Sequence, residues 1–136
     1  MSEPPPCDRE REECVLVVDD EEGIRETLVE VIEMIGCSAI SASDGAEALK
    51  MLAKRRPCLV ILDLLMPVMT GMELLEAMRK DPALATIPVL ISTSAPHRAP
   101  AGVPVLTKPF EIESIWGWIR RSCRCASQHG TSPSTS

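Results

Sequence analysis

The sequence predicts an α/β fold, a doubly wound, five-stranded parallel sheet with helices on both faces. Short apolar runs alternate with stretches of helical apolar spacing, the pattern of parallel strands joined by crossover helices. The runs are apolar throughout rather than alternating, as strands buried on both faces require. Acidic or hydroxyl residues follow several of these runs, where an open parallel sheet presents its carboxyl edge.

The elements follow in order. Cys14 to Val18 is a first strand, stopped by Asp19-Asp20. Ile24, Leu28, Val31, Ile32 and Ile35 have helical spacing, with Gly36 as the stop. Ser38 to Ala42 is a small-residue strand. Asp44 has the features of a helix N-cap with Glu47 as capping-box partner, and Ala46, Leu49 and Ala53 supply an apolar face before Pro57. Leu59 to Leu62 is the most hydrophobic strand and Asp63 follows it at once. Gly71 opens a helix through Met72, Leu75 and Met78 that ends near Asp81-Pro82. Val89 to Ser92 and Val103 to Leu106 are the fourth and fifth strands, and Ile112, Ile115, Trp116 and Ile119 mark a last helix. Five strands in this alternation suggest the flavodoxin-like order 2-1-3-4-5.

Residues 1–12 combine a proline run with charges and read as a flexible N-terminal segment, residues 13–125 as one domain, and residues 126–136 as a polar, disordered tail. The net charge of −6 argues against nucleic-acid binding, which needs a basic stripe. The basic clusters Lys54-Arg55-Arg56 and Arg120-Arg121 fall near predicted helix ends, where cations complement the dipole. No signal peptide or membrane-length apolar run is visible. Cys14, Cys37 and Cys58 lie in or beside apolar segments as small hydrophobes, so a cytoplasmic location is expected. Cys123 and Cys125 form a C-x-C pair without a second ligand pair, a weak metal signal. His97 and His129 have no partner pattern. The scarce aromatics, Phe110, Trp116 and Trp118, leave the core to aliphatic residues.

Asp19 and Asp20 end the first strand and Asp63 the third. In the expected order these strands are neighbours at the switch point, so three carboxylates converge. Two like charges about 4 Å apart repel by roughly 4 kcal/mol at an effective dielectric near 20. Either a carboxyl pKa rises or a cation binds. An oxygen-only donor set suits a hard divalent ion, Mg²⁺ above all.

Taken in order, Val17-Val18-Asp19-Asp20, Asp63-Leu64-Leu65-Met66-Pro67 with Gly71, Ile87-Pro88-Val89 leading to Thr93, and Lys108-Pro109-Phe110 resemble the receiver domain of bacterial two-component response regulators, the superfamily of the chemotaxis response regulator. The resemblance implies that Asp63 is the phosphoacceptor, attacking a phosphohistidine on a histidine kinase or histidine phosphotransfer protein. It implies Asp19, Asp20, Asp63 and the backbone carbonyl of Leu65 as Mg²⁺ ligands. Thr93 and Lys108 become the groups that bind the phosphoryl oxygens, and Pro109 a cis-proline candidate. Taken singly, Thr93 is equally a β-branched strand residue and Lys108 a solvated loop charge. The chemistry wants these types: an aspartate nucleophile forms an acyl phosphate, while a metal ion and a lysine offset the charge of a loose, in-line transfer.

The sequence departs from the family in four places. After Thr93 only about eight residues precede the expected fifth strand, fewer than the ten to twelve of a parallel crossover, and Pro96 and Pro100 oppose helix. The fourth helix is therefore expected to be absent or cut to one turn. Val105 stands where the family has a rotating aromatic, so the usual output face is in doubt. Leu65 and Ala95, apolar at the pocket mouth, are expected to slow water attack and prolong the phosphorylated state. Thr70, where Asp or Asn often precedes the glycine, is expected to affect only a turn. Trp118, off the apolar stripe of its helix, is either a docking anchor or a cover for sheet left open by the short crossover.

With no output domain following, the expected function is a stand-alone two-component switch or relay, a phosphoacceptor rather than an enzyme, acting on an unknown downstream protein. The alternative is a pseudo-receiver, an interaction module that works without phosphorylation. A phosphohydrolase using an aspartyl phosphate would want a second acid close after Asp63 and a cap, and Leu64-Leu65 follow instead.

Overall fold

The computed structural model describes residues 15–66 and 69–123. The segments 1–12 and 126–136, together with Cys14, Pro67, Cys125 and His129, lie outside the described residues. Five strands, β1 (Val15–Val18), β2 (Ala39–Ala42), β3 (Leu59–Asp63), β4 (Val89–Thr93) and β5 (Val105–Thr107), form one sheet in the order β2-β1-β3-β4-β5. All pairings are parallel. The helices are α1 (Glu22–Met34), α2 (Gly45–Leu52), α3 (Gly71–Lys80) and α4 (Ile112–Ser122). This is the expected doubly wound fold.

The sheet separates two apolar cores. On one face Leu28, Val31, Ile32 and Ile35 of α1 and its end pack with Ile115 and Ile119 of α4 over Val15, Val17, Leu59, Ile61, Leu90 and Leu106. On the other, Ala48 and Leu52 of α2 and Leu74, Leu75 and Met78 of α3 cover Leu16, Val18, Val60, Leu62 and Ile91. Alternate residues of one strand thus enter different cores, which is why β1 and β3 are apolar throughout. Each fully buried Leu or Ile contributes about 1.5–3 kcal/mol.

Helix ends follow local chemistry. Gly36, at φ +95°, ends α1 in the left-handed conformation that glycine adopts without a Cβ penalty. Asp44 caps α2 by accepting from Glu47 N–H at 2.8 Å. The expected reciprocal bond is displaced by one residue, since Glu47 instead accepts from the N–H and hydroxyl of Ser43. At α3 Thr70 is more than a turn residue. It accepts from Glu73 N–H at 3.1 Å while Glu73 accepts from Thr70 N–H at 2.9 Å, a complete capping box.

The crossover from β4 to β5 carries no α-helix, only a 3-10 turn at Pro96–Arg98. β5 begins at Val105 rather than Val103. Pro104, which has no N–H to give, still accepts from Ile91 N–H at 3.0 Å. Val105 and Val103 are partly buried against the α2/α3 core.

Trp118 corrects one alternative. It packs, partly buried, on the α1/α4 core, the face of the sheet opposite the helix-poor crossover, and so covers nothing that crossover leaves open. Arg121 lies over its ring, 4.7 Å from the centroid. Trp116 donates to the Val31 carbonyl at 3.0 Å and fastens α4 to α1.

Candidate functional site

The parallel register brings the acids together. Val18 pairs with Leu62, so Asp19 and Asp63 emerge side by side at the carboxyl ends of β1 and β3. The carboxylates of Asp19, Asp20 and Asp63 offer oxygens that all lie within 4.8 Å of one another. Asp19 and Asp63 are buried and Asp20 is exposed. The cluster is therefore open to solvent on the Asp20 side and closed at its floor.

Lys108 enters from beyond β5. Its Nζ lies 2.9 Å from Asp19 Oδ2, which accepts its hydrogen bond, and 3.7 Å from Asp63 Oδ1. The Lys108–Pro109 peptide bond is cis. Lys108 N–H donates to the Thr93 carbonyl at 2.8 Å, tying the lysine to the end of β4. Thr93 is buried one residue beyond Ser92, the register partner of Asp63. Its hydroxyl accepts from Ala95 N–H at 3.0 Å. Among the described residues, Ser92 Oγ is a buried side-chain polar atom without a hydrogen-bond partner.

Burial first, then the field of Asp19, pushes the Asp63 carboxyl up to about 6 from 3.8, against the lowering influence of Lys108 and of the Leu65 N–H, which donates to Asp63 Oδ1 at 3.4 Å. For Lys108, burial works against the charged form. The hydrogen bond to Asp19 and the fields of Asp19 and Asp63 outweigh it and hold the ammonium above its usual range. One cation thus offsets three carboxylates incompletely.

Several features lay beyond sequence reasoning. Arg25, one turn into α1, donates to the Asp19 carbonyl at 2.8 Å, and Glu21 N–H donates to Asp19 Oδ1 at 2.9 Å. Gly71 sits where a Cβ would collide with the carbonyl oxygen of Asp63 and with Leu64 Cα, and its N–H donates to the Leu64 carbonyl at 3.0 Å. The sequence shows Gly71 only as a helix opener. Leu65, 48% exposed, and the partly buried Ala95 follow Asp63 and Thr93 at the rim. A cavity of about 650 Å³ lined by Glu21, Ile24, Thr27, Lys108, Pro109 and Phe110 adjoins the cluster.

The donor set fits a hard divalent cation. The three carboxylates offer oxygen alone, with donor atoms all within 4.8 Å of one another, the donor chemistry that a hard divalent ion takes.

A parallel 2-1-3-4-5 sheet with an acidic cluster at the switch point defines the class, a flavodoxin-like α/β domain with a candidate cation site. The family model of the response regulator receiver domain matches residues 15–119, and the chain belongs to that family. It is 31% identical over 113 residues to protein PilG of Pseudomonas aeruginosa, covering 78% of this chain and 84% of PilG. It is 34% identical over 115 residues to response regulator MprA of Mycobacterium leprae, covering 81% of this chain and 50% of MprA. The chain thus spans about half the length of MprA. Among solved structures it is similar to the chemotaxis response regulator CheY4 of Vibrio cholerae, with a TM-score of 0.74 and 32% identity over 81% of this chain and 98% of that one. Receiver domains of this family serve two-component signalling, and they bind Mg²⁺ in an acidic pocket. No helix among the described residues is long and apolar enough to cross a membrane.

Proposed function

We propose that this chain is a cytoplasmic receiver domain that accepts a phosphoryl group on Asp63 from a histidine kinase or histidine phosphotransfer protein, in a pocket suited to Mg²⁺. The observation that carries this reading is the convergence of Asp19, Asp20 and Asp63 with Lys108 reaching into the group.

An Asp63 carboxylate oxygen attacks phosphorus, the bond to the donor's imidazole nitrogen breaks, and the imidazole keeps the electron pair. Asp19, Asp20 and the Leu65 carbonyl, with Asp63 itself, are the groups that would hold the ion. When bound, Mg²⁺ supplies positive charge to the transferring oxygens. Lys108 is placed to turn from Asp19 toward a phosphoryl oxygen on Asp63, since its Nζ already stands 3.7 Å from Asp63 Oδ1. The Thr93 hydroxyl, at the end of the adjacent strand, completes the binding of the phosphoryl group once it leaves its bond to Ala95 N–H. The cavity beside Lys108 gives a donor room to approach. Domain bounds of 13–125 follow from this reading, and the chain works as a phosphoacceptor rather than a turnover catalyst.

Incubation with Mg²⁺ and a small-molecule phosphodonor, followed by intact mass spectrometry, tests it. The expected result is a single phosphate-sized gain that Asp63→Asn abolishes. Absence of a gain in the folded protein sinks the proposal. The helix-poor crossover and Val105 favour one second reading, a pseudo-receiver that binds its partner without phosphorylation. Under that reading Asp63→Asn leaves partner binding unchanged.

A further inference from the structure

β4 carries a hydroxyl where burial calls for an aliphatic side chain. Val89, Leu90 and Ile91 are aliphatic, and Ser92, next along the strand, is 1% exposed. Its Oγ has no hydrogen-bond partner among the described residues. A buried hydroxyl ordinarily finds an acceptor, since an unpaired one has lost its hydration with nothing in return.

Sheet register decides what lies beside that hydroxyl. Ser92 is the parallel partner of Asp63 on β3 and of Leu106 on β5. Side chains of register partners point to the same face of a sheet. Ile61 and Leu90, two residues earlier on β3 and β4, lie in the α1/α4 core, so Asp63 and Ser92 point to that face as well. Leu106 has no polar side-chain atom. The Asp63 carboxylate is therefore the side-chain acceptor beside Ser92 in this row.

Asp63 is short of donors in turn. It is 6% exposed, and among the described residues its carboxylate accepts one hydrogen bond, a long one from Leu65 N–H at 3.4 Å. Lys108 Nζ, 3.7 Å away, donates to Asp19 instead. A carboxylate has about four acceptor sites. A buried donor without an acceptor thus stands beside a buried acceptor with too few donors.

We propose that Ser92 is a positioning residue for Asp63: a χ1 rotation turns its hydroxyl to the Asp63 carboxylate, and the hydrogen bond it donates fixes the carboxylate plane for attack on phosphorus. The proposal rests on the phosphoacceptor reading of Asp63. Rotation between staggered χ1 positions needs no backbone movement. Hydrogen bonds to an ionised acceptor are the stronger kind. Thr93 and Lys108 bind the phosphoryl oxygens in that reading, whereas Ser92 acts from the buried side, on the nucleophile itself. A nucleophile already held in attack orientation loses less freedom on the way to the transition state.

Wild type, Ser92→Ala, Ser92→Thr and Ser92→Val are incubated with acetyl phosphate at saturating Mg²⁺, and phosphate gain is followed by intact mass. Thr and Val have nearly the same shape, and only Thr keeps the hydroxyl. Ser92→Ala adds no atom to the core and keeps the test open where the larger side chains disturb packing. The expected rates are about tenfold lower in Ser92→Ala and Ser92→Val, and within about twofold of wild type in Ser92→Thr. Without donor, at pH 8 where Asp63 is ionised, the Asp63 carboxyl carbon-13 resonance moves in Ser92→Ala and Ser92→Val and stays in Ser92→Thr. A wild-type rate in Ser92→Ala overturns the proposal. So does equal slowing by Ser92→Thr and Ser92→Val, which is a packing effect, or an Asp63 resonance that none of the variants moves. A wild-type chain that gains no phosphate sinks the phosphoacceptor reading, and the role of Ser92 in transfer with it. A wild type that gains phosphate no faster than Ser92→Ala sinks the role of Ser92 alone.

Discussion

Lys108 Nζ lies 2.9 Å from Asp19 Oδ2, so a residue just beyond β5 holds an acid at the end of β1 across the ends of the two strands between them. The bond is shorter than the 3.7 Å approach to Asp63. Lys108→Met removes a charge-assisted hydrogen bond and is expected to lower stability at neutral pH by about 2 kcal/mol. It also removes a cation that lowers the Asp63 pKa, so the carboxyl should titrate above about 6. Urea melts and a carboxyl NMR titration check both. An unchanged or lowered Asp63 pKa would show that the lysine is screened from it.

The raised pKa of Asp63 makes the pocket a source of instability. Below the unfolded value of 3.8 the carboxyl is protonated in both states and nothing is lost; stability falls as pH rises through about 6, where the folded state too must ionise, and the loss persists above that. Asp63→Asn is therefore expected to stabilise the metal-free protein at pH 8 by on the order of 2 kcal/mol. The advantage should shrink toward pH 4 and narrow on adding Mg²⁺. Denaturation at the two pH values, with and without the ion, decides. An Asn variant less stable than wild type at pH 8 without Mg²⁺ contradicts this account.

Gly71 meets the Asp63 backbone so closely that any Cβ displaces one of them. Gly71→Ala is expected to cost roughly 1–3 kcal/mol from overpacking. Thr70→Ala, which opens the capping box one residue earlier, should cost about 1 kcal/mol. If the phosphoacceptor reading holds, only Gly71→Ala should also slow phosphorylation at saturating donor, because only it moves Asp63. Equal slowing by Thr70→Ala would place the effect in α3 instead.

If Asp63 is the phosphoacceptor, Leu65, nearly half exposed at the pocket rim, presents no hydrogen-bonding side chain to a water approaching its phosphoryl group. Leu65→Asn is expected to shorten the phosphorylated lifetime several-fold without changing the yield of phosphorylation, measured by the decay of the phosphorylated mass. A lifetime that does not change, or lengthens, counts against a role for apolar rim residues.

Local signals carried much of this molecule. Continuous apolar runs identified β1, β3 and β4 because burial on both faces demands them, and Gly36 and Asp44 marked helix ends because their backbone and side-chain chemistry acts within a few residues. The shortened crossover was legible from Pro96, Pro100 and chain length alone. The three aspartates were visible as strand-end residues, and their convergence followed from strand order. Sequence could not show the bond from Lys108 to Asp19, the anchoring of Asp19 by Arg25, or the contact between Gly71 and Asp63. Nor could it show which face of the sheet Trp118 covers. Periodicity and capping are set within one turn or one strand. These other relationships join residues far apart in the chain, and only sheet register and the return path of α4 fix their distances.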